Sequence, residues 1–322
     1  MTGHNPMKEL VDFDRDALIQ DISDKCGVTH LDSATWACLW LADLPNLRSI
    51  VEEFATGTFV YDSATQLKAW QIPCTDTEET TERIGYSGKR PADALSSKQP
   101  KRVSKKPRVS IKEEPVASIA LTKEETPEER CKKRDKAICV ITHAAEPVDA
   151  VPIYPKILGT PTDRAHSRRL SDFCKWAKRF WSSDAVDRWA ALICGTNDLD
   201  PCSGLITLST HVEQLWRRGR FALMPIRPAK DRKAMRVGFF WLPQNKYADS
   251  VLLTSRPLLL DNLKEGPGHT KLFGCFRESL ISSNSVTVLQ TDDPVKLPLP
   301  SPELLELQWI LNRVVALSGV VG

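Results

Sequence analysis

No apolar run in this 322-residue chain approaches the ~20 residues that a helix needs to span a bilayer, so an integral membrane protein is not expected. Residues 1–15 hold neither an apolar signal core nor an arginine-rich amphipathic pattern, which argues against secretion and mitochondrial import. Close thiol pairs are missing too. The nine cysteines, at 26, 38, 74, 131, 139, 174, 194, 202 and 275, are odd in number and show no C-x-x-C spacing. A zinc ribbon or finger is therefore not supported, and reduced cysteines in an intracellular protein are expected. Acids are nearly absent from one stretch: residues 89–108 carry eight Lys and Arg against Asp93 alone, a net +7. The whole chain has a formal charge of +3, so the remainder nets −4, and the basic character is local.

What is present is ordinary for a globular chain: 41% hydrophobic and 26% charged residues, with a length that allows about two domains. Three regions separate by composition. Residues 1–75 read as a small helical N-terminal segment. Leu10, Phe13, Leu18, Ile19 and Ile22 are spaced for one helix face, and a second helix follows Asp32-Ser33 with Trp36, Leu39, Trp40 and Leu44. Pro45 ends or interrupts it, and Leu47, Ile50, Val51 and Phe54 repeat the helical spacing. This segment reads as a helical mini-domain or a dimerisation arm. Residues 76–130 are rich in Thr, Glu, Ser, Lys and Pro and poor in large apolar side chains. Such a stretch cannot bury enough surface to offset its ordering entropy, so a disordered basic linker is expected, open to protease first between Gly85 and Lys123.

Residues 131–322 read as a globular α+β domain. Ala137–Thr142, Leu205–Leu208, Phe221–Ile226 and Met235–Leu242 have strand character. A long helical region is expected over 167–194, with Phe173, Trp176, Phe180 and Trp181 on one side. The stripe Leu304, Leu307, Leu311, Val314 and Leu317 predicts a last helix beyond Pro302, a first-turn proline.

The basic segment has the layout of a two-part nuclear localisation signal. Lys89 and Arg90 form one cluster, and Lys101, Arg102, Lys105, Lys106 and Arg108 form the second. Two short basic clusters on a tether suit two acidic pockets of a nuclear import receptor, which predicts the nucleus as location. The alternatives are a solvated charge run, or a tail that touches nucleic-acid phosphates without sequence preference. Downstream, Ile111-Lys-Glu-Glu114 fits the short pattern for attaching a ubiquitin-like modifier to Lys112.

From Arg134 onward the order of blocks is informative. Arg-Asp-Lys-Ala-Ile-Cys-Val-Ile-Thr142 leads into Val151-Pro-Ile-Tyr-Pro155. Later come Asp198-Leu-Asp-Pro-Cys-Ser-Gly-Leu-Ile-Thr-Leu208, His211, Leu215-Trp216 and Gly219-Arg-Phe-Ala-Leu-Met-Pro225. This layout, with the tail Leu297–Trp309 and its closing Ala-Leu-Ser-Gly, resembles the HNH nuclease-like domains of many fungal proteins. The resemblance implies a ββα-metal core over part of 131–322: two short strands and a helix that hold a divalent metal, Mg or Zn, against a scissile phosphate of DNA or RNA. It implies a base histidine at the end of the first strand, an asparagine before the second, and a metal-binding histidine at the start of the helix.

Two of those three positions are substituted here. Pro152 stands where the base belongs, and Gly204 stands where the asparagine belongs; His211 remains as metal ligand and catalytic candidate. Asp149, three residues before Pro152, is the first candidate to serve in place of the base, with His143, His166, Asn197 and Asp198 as further neighbours. Thr210-His211-Val212-Glu213 has capping-box spacing, which would put His211 in a first helical turn, with Arg217, Arg218 and Arg220 following to contact phosphates. The function expected is that of an HNH endonuclease-like nuclear protein with weak or lost phosphodiesterase activity. The alternative is a non-catalytic nucleic-acid- or protein-binding module on the same fold.

Overall fold

A computed structural model of the chain describes residues 8–59, 63–70, 124–154, 164–194, 200–226 and 229–320. Glu124 apart, these fall in one compact unit of mixed α+β structure. Both basic clusters, Lys112, and residues 76–123 of the expected linker lie outside the described residues.

The N-terminal part forms α1 (Phe13–Cys26), β1 (His30–Leu31), α2 (Ser33–Leu41), α3 (Leu44–Ala55) and α4 (Ser63–Trp70). Helix α2 starts where the sequence places it, because the Asp32 carboxylate accepts the free amides of Ala34 and Thr35 at 3.1 and 3.0 Å. Pro45 does not interrupt α2. It sits in the first turn of α3, where a proline has no hydrogen bond to lose. These helices have no core of their own: Leu10, Ile19, Ile22, Trp40 and Leu47 belong to the same buried cluster as Trp181, Phe221 and Leu311.

From residue 124 onward come α5 (Pro127–Arg134), β2 (Val148–Pro152), α6 (Arg164–Phe180), α7 (Ser183–Ile193), β3 (Leu205–Ser209) and α8 (Thr210–Arg217). Residues 127–130, expected to be linker, are helical. Thr126 and Glu129 close a reciprocal capping box, so α5 starts at Pro127. The strand expected at 137–142 is a run of tight turns, with positive φ at Lys136, Ala137 and His143. Its apolar residues Cys139, Val140 and Ile141 are buried all the same, and the Val140 amide donates to the Thr207 carbonyl at 3.0 Å. The long helical region divides at Trp181-Ser182, where the Ser182 hydroxyl caps α7.

The chain closes with β4 (Phe221–Ile226), β5 (Ala234–Trp241), β6 (Val251–Leu252), β7 (Phe273–Gly274), β8 (Ser279–Leu280), β9 (Ser285–Gln290) and α9 (Pro302–Ser318). Strands β4, β5 and β9 make an antiparallel sheet with β5 in the middle; β2 pairs β3, β1 pairs β6 and β7 pairs β8, all antiparallel. Helix α9 runs through the core: Leu304, Leu305, Leu307, Leu311, Val314, Val315 and Leu317 are each at most 2% exposed. It is buried on most sides because it packs on α2 and β4 at once, and its buried polar residues Gln308 and Asn312 bond the β4 backbone. The Ser33 hydroxyl donates to the Ser318 carbonyl at 2.5 Å, tying the start of α2 to the end of α9. Gly319 ends α9 in a left-handed turn, φ +63°, against the backbone of Lys246 and Tyr247.

Candidate functional site

Strands β2 and β3 pair in register from Val148 opposite Ser209 to Pro152 opposite Leu205, and β3 passes straight into α8. A buried salt bridge holds this unit to α5. The Arg134 guanidinium donates to Asp135 through Nε at 2.8 Å and Nη2 at 2.9 Å, with side chains 0% and 3% exposed. Arg134 also donates to the carbonyls of Leu205, Pro298 and Cys202 at 2.8, 2.9 and 3.2 Å. Asp135 in turn accepts the Thr207 amide at 3.0 Å. Burial disfavours the charged guanidinium, but the Asp135 carboxylate outweighs it and holds Arg134 above its ordinary pKa. The neighbouring Cys131 thiol is pushed up to about 12 by burial. Arg134 and Asp135 carry no role in the sequence reading. The signal was an adjacent opposite-charge pair directly ahead of an apolar run, a place where neither charge is ordinarily buried unpaired.

A second bridge fixes the approach to β3. Arg130 donates to both Asp200 oxygens, with Nη2–Oδ1 at 2.6 Å, and Asp200 Oδ1 also accepts the Cys202 amide at 2.9 Å at the start of the 3₁₀ turn Pro201–Gly204. Partial burial raises the Asp200 carboxyl, yet Arg130 and the Cys202 amide prevail and hold it below the usual carboxylate value.

The residues expected to act are spread over this unit rather than gathered. Asp149 lies on β2, exposed, and its carboxylate is taken by Lys132 of α5 at 3.1 Å. Pro152 closes β2 opposite Leu205 and offers no titratable group. At Gly204 a Cβ would stand 3.8 Å from Tyr154 and 3.9 Å from Leu304, ordinary contacts, so space does not demand glycine there.

His211 is exposed in the first turn of α8, without a hydrogen-bond partner among the described residues. The capping box expected around it does not form. Ser209, the last residue of β3, is the N-cap, and its side chain makes no cap bond. The Thr210 amide goes instead to the Pro147 carbonyl at 3.4 Å, and Glu213 turns to Arg217 one helical turn on, at 2.6 Å.

Arg217 is therefore occupied. Arg218 is exposed and Arg220 half-buried just past the C-terminal end of α8. Seven residues at 1.5 Å rise put Arg218 about 10 Å along the axis from His211, at the end where the helix dipole favours cations. Burial lowers the Arg220 pKa, and Arg218 beside it lowers it further.

Other neighbours stand elsewhere. His143 is exposed with φ +59°, its ring 6.2 Å from that of Phe276, in a cleft that includes neither Asp149, Pro152 nor His211. The backbone of His166 lies in the first turn of α6, its side chain outside what is described, as are Asn197 and Asp198. Among the described residues no three His, Cys, Asp or Glu converge to hold a metal ion. With Asp149 committed to Lys132 and His211 alone among the described residues, the donor set does not fit the divalent ion that the resemblance implies.

No family model, no curated protein and no solved structure matches this chain.

Proposed function

We propose that the chain is an HNH-like nuclear protein in which phosphodiester hydrolysis is weak or lost and the scaffold serves to hold nucleic acid. One observation supports the reading. Strand β3, paired antiparallel with β2, runs directly into α8, an order compatible with a ββα unit, and Pro152 of β2 is the residue that the resemblance sets in place of the base. A proline takes no proton, and a positioned general base is worth ~10²–10⁴-fold in rate. The surviving His211 has no second donor at hand among the described residues.

What remains serviceable is charge. Arg218 and Arg220 lie past the end of α8, and Arg218 is exposed to meet a phosphate backbone. Such contacts carry no base recognition, so the binding expected is sequence-tolerant and salt-dependent. The basic clusters at 89–90 and 101–108 support delivery to the nucleus.

The test has two arms. Purified full chain is incubated with supercoiled plasmid and Mg²⁺ or Zn²⁺, and duplex binding is followed across a salt series. Nicking no faster than a His211→Ala control is expected, together with binding whose salt slope falls by roughly one to two on replacing Arg218 and Arg220 with Ala. Robust metal-dependent nicking that His211→Ala abolishes overturns the loss of activity. Binding indifferent to salt and to both arginines overturns the nucleic-acid role. Replacing Lys101, Arg102, Lys105 and Lys106 with Ala moves a fluorescent fusion toward the cytoplasm; an unchanged distribution removes that segment as the import signal.

A further inference from the structure

The sheet β4–β5–β9 has two edges, and the chain treats them differently. On β4 the outward Leu223 amide and Phe221 carbonyl are taken by Gln308 and Asn312 of α9, at 3.1 and 3.0 Å. The alternation of ladder bonds locates the outward groups of β9. Leu242 donates to Arg220 across the β4 side, and Thr291 donates to Lys233 across the β9 side. Residues 235, 237 and 239 of β5 thus bond Leu289, Thr287 and Ser285, and the backbones of Val286, Val288 and Gln290 point away from the sheet. Those amides and carbonyls have no hydrogen-bond partner among the described residues. A bulge marks only the start of β9, where Asn284 at φ +67° gives its amide to the Phe239 carbonyl and the Ser285 amide turns back to Ser282; from Val286 to Gln290 no proline or lysine blunts this edge, devices by which sheets ordinarily protect one.

A cleft of about 380 Å³ follows the same edge. Ser285, Val286, Thr287, Val288 and Gln290 all line it. Successive side chains of a strand point to opposite faces, so a cleft that touches both sets runs along the strand's rim. The rest of its lining comes from Phe239 of β5, from the turn bearing Ile141 and His143, and from the β7–β8 hairpin with Ile281 just after it. Phe276, Leu280 and Val288 gather there at 83%, 51% and 48% exposure, a concentration of apolar surface that marks an interaction site. The charge is one-sided: Arg277 and His143 line the cleft, no Asp or Glu does, and Arg277 has no ion pair among the described residues. Arg236, opposite Val288 on β5, is exposed as well.

We infer that the outer edge of β9 is a docking site for an extended segment of a partner protein, with acidic and apolar side chains in alternation, which adds to the sheet as a fourth strand. Backbone pairing to Val286, Val288 and Gln290 supplies the register. The apolar positions settle on Phe276, Leu280 and Val288, and the acids face Arg277 and Arg236. The inference rests on a different part of the molecule from β2–β3–α8 and stands whatever becomes of the nuclease-like reading.

The probe is a fluorescein-labelled octapeptide alternating valine and glutamate, titrated into the full chain, with amide hydrogen exchange read by NMR. With peptide bound, exchange at Val286, Val288 and Gln290 slows at least tenfold, while Thr287 and Leu289, already in the ladder, and Ser285, bonded to the Ser282 carbonyl, change little. Val288→Pro removes only an outward amide and is compatible with an edge strand, so it should abolish most binding. Arg277→Glu should weaken binding about tenfold, as should lysine for glutamate in the peptide. If Val288→Pro fails to fold, the exchange pattern and Arg277→Glu decide. The inference is overturned if the peptide leaves those three amides unprotected, or if the lysine peptide binds equally well. It is overturned as well if sedimentation shows that a second copy of the chain already covers the edge, or if single-stranded DNA protects the same amides and displaces the peptide.

Discussion

Replacing Asp135 with Ala tests whether the α5 bridge holds the β2–β3 unit in place. The substitution leaves the Arg134 guanidinium, 0% exposed, without its counter-charge, and it orphans the Thr207 amide. Breaking a buried pair by removing one partner costs ~3–5 kcal/mol, and an unsatisfied buried amide ~1–3 kcal/mol. The two losses share one cavity and overlap, so about 4–5 kcal/mol is expected, a large part of the ~5–15 kcal/mol that holds a domain. With a urea m-value near ~3 kcal/mol/M, the unfolding midpoint should fall by about 1.5 M. Arg134→Met in the Asp135→Ala background removes the stranded charge but takes donors from the carbonyls of Cys202, Leu205 and Pro298. The double variant should therefore still be destabilised, yet by about 2–3 kcal/mol less than the sum of the singles. A midpoint shift below about 0.3 M for Asp135→Ala, or additivity within ~0.5 kcal/mol, would refute the reasoning.

Three further outcomes are expected. The folded Asp200 carboxyl lies below its ordinary value, so its contribution to stability is present above the unfolded pKa near ~3.9 and lost as pH falls through the folded one. Between pH ~5 and ~2 the native chain should lose urea resistance faster than Asp200→Asn, and parallel pH curves would show that the Arg130 bridge is not maintained in solution. Gly319→Ala places a Cβ 2.3 Å from the Lys246 carbonyl carbon at φ +63°, so about 2 kcal/mol or more should be lost and Tm lowered by roughly 4–8 °C; a melt within about 1 °C of native contradicts this. Pro152→His combined with Gly204→Asn should fold, since the Cβ at 204 meets only ordinary contacts, but should leave plasmid nicking unchanged, because Pro152 pairs with Leu205 at the end of the ladder away from Ser209 and α8. Metal-dependent nicking gained by this pair and removed by His211→Ala would contradict that.

The sequence was most legible where one local signal decides the conformation. Asp32 caps α2, Pro302 opens α9, and the alternation through Met235, Val237 and Phe239 gives β5. It misled where burial and conformation part company. Ala137–Thr142 is apolar enough for a strand, and most of it is buried, yet its amides are used singly: Cys139 to Ala144, Val140 to Thr207 and His143 back to Cys139. The capping box at Thr210 failed for a related reason. The β3 ladder ends at Ser209, which takes the N-cap position, so the helix starts at Thr210, one residue earlier than the spacing suggests, and Glu213 pairs with Arg217 instead. Strands β7 and β8 are two residues each and leave no periodicity to read. The adjacent charges of Arg134 and Asp135 were the only trace of their bridge, because its burial depends on partners at 202, 205, 207 and 298, far along the chain.

The seating of α9 against α2 has a consequence during synthesis. Helix α2 leaves the ribosome early, with all nine residues destined for burial, but the helix that covers it ends at Ser318. At ~5–20 residues per second, the interval between them is on the order of 15–55 s. Over that time Trp36, Leu39 and Trp40 are without the surface that shields them in the finished fold. Nascent chains stalled before α9 should then be held by apolar-binding chaperones, and release should follow translation of residues 302–318 rather than of the N-terminal helices.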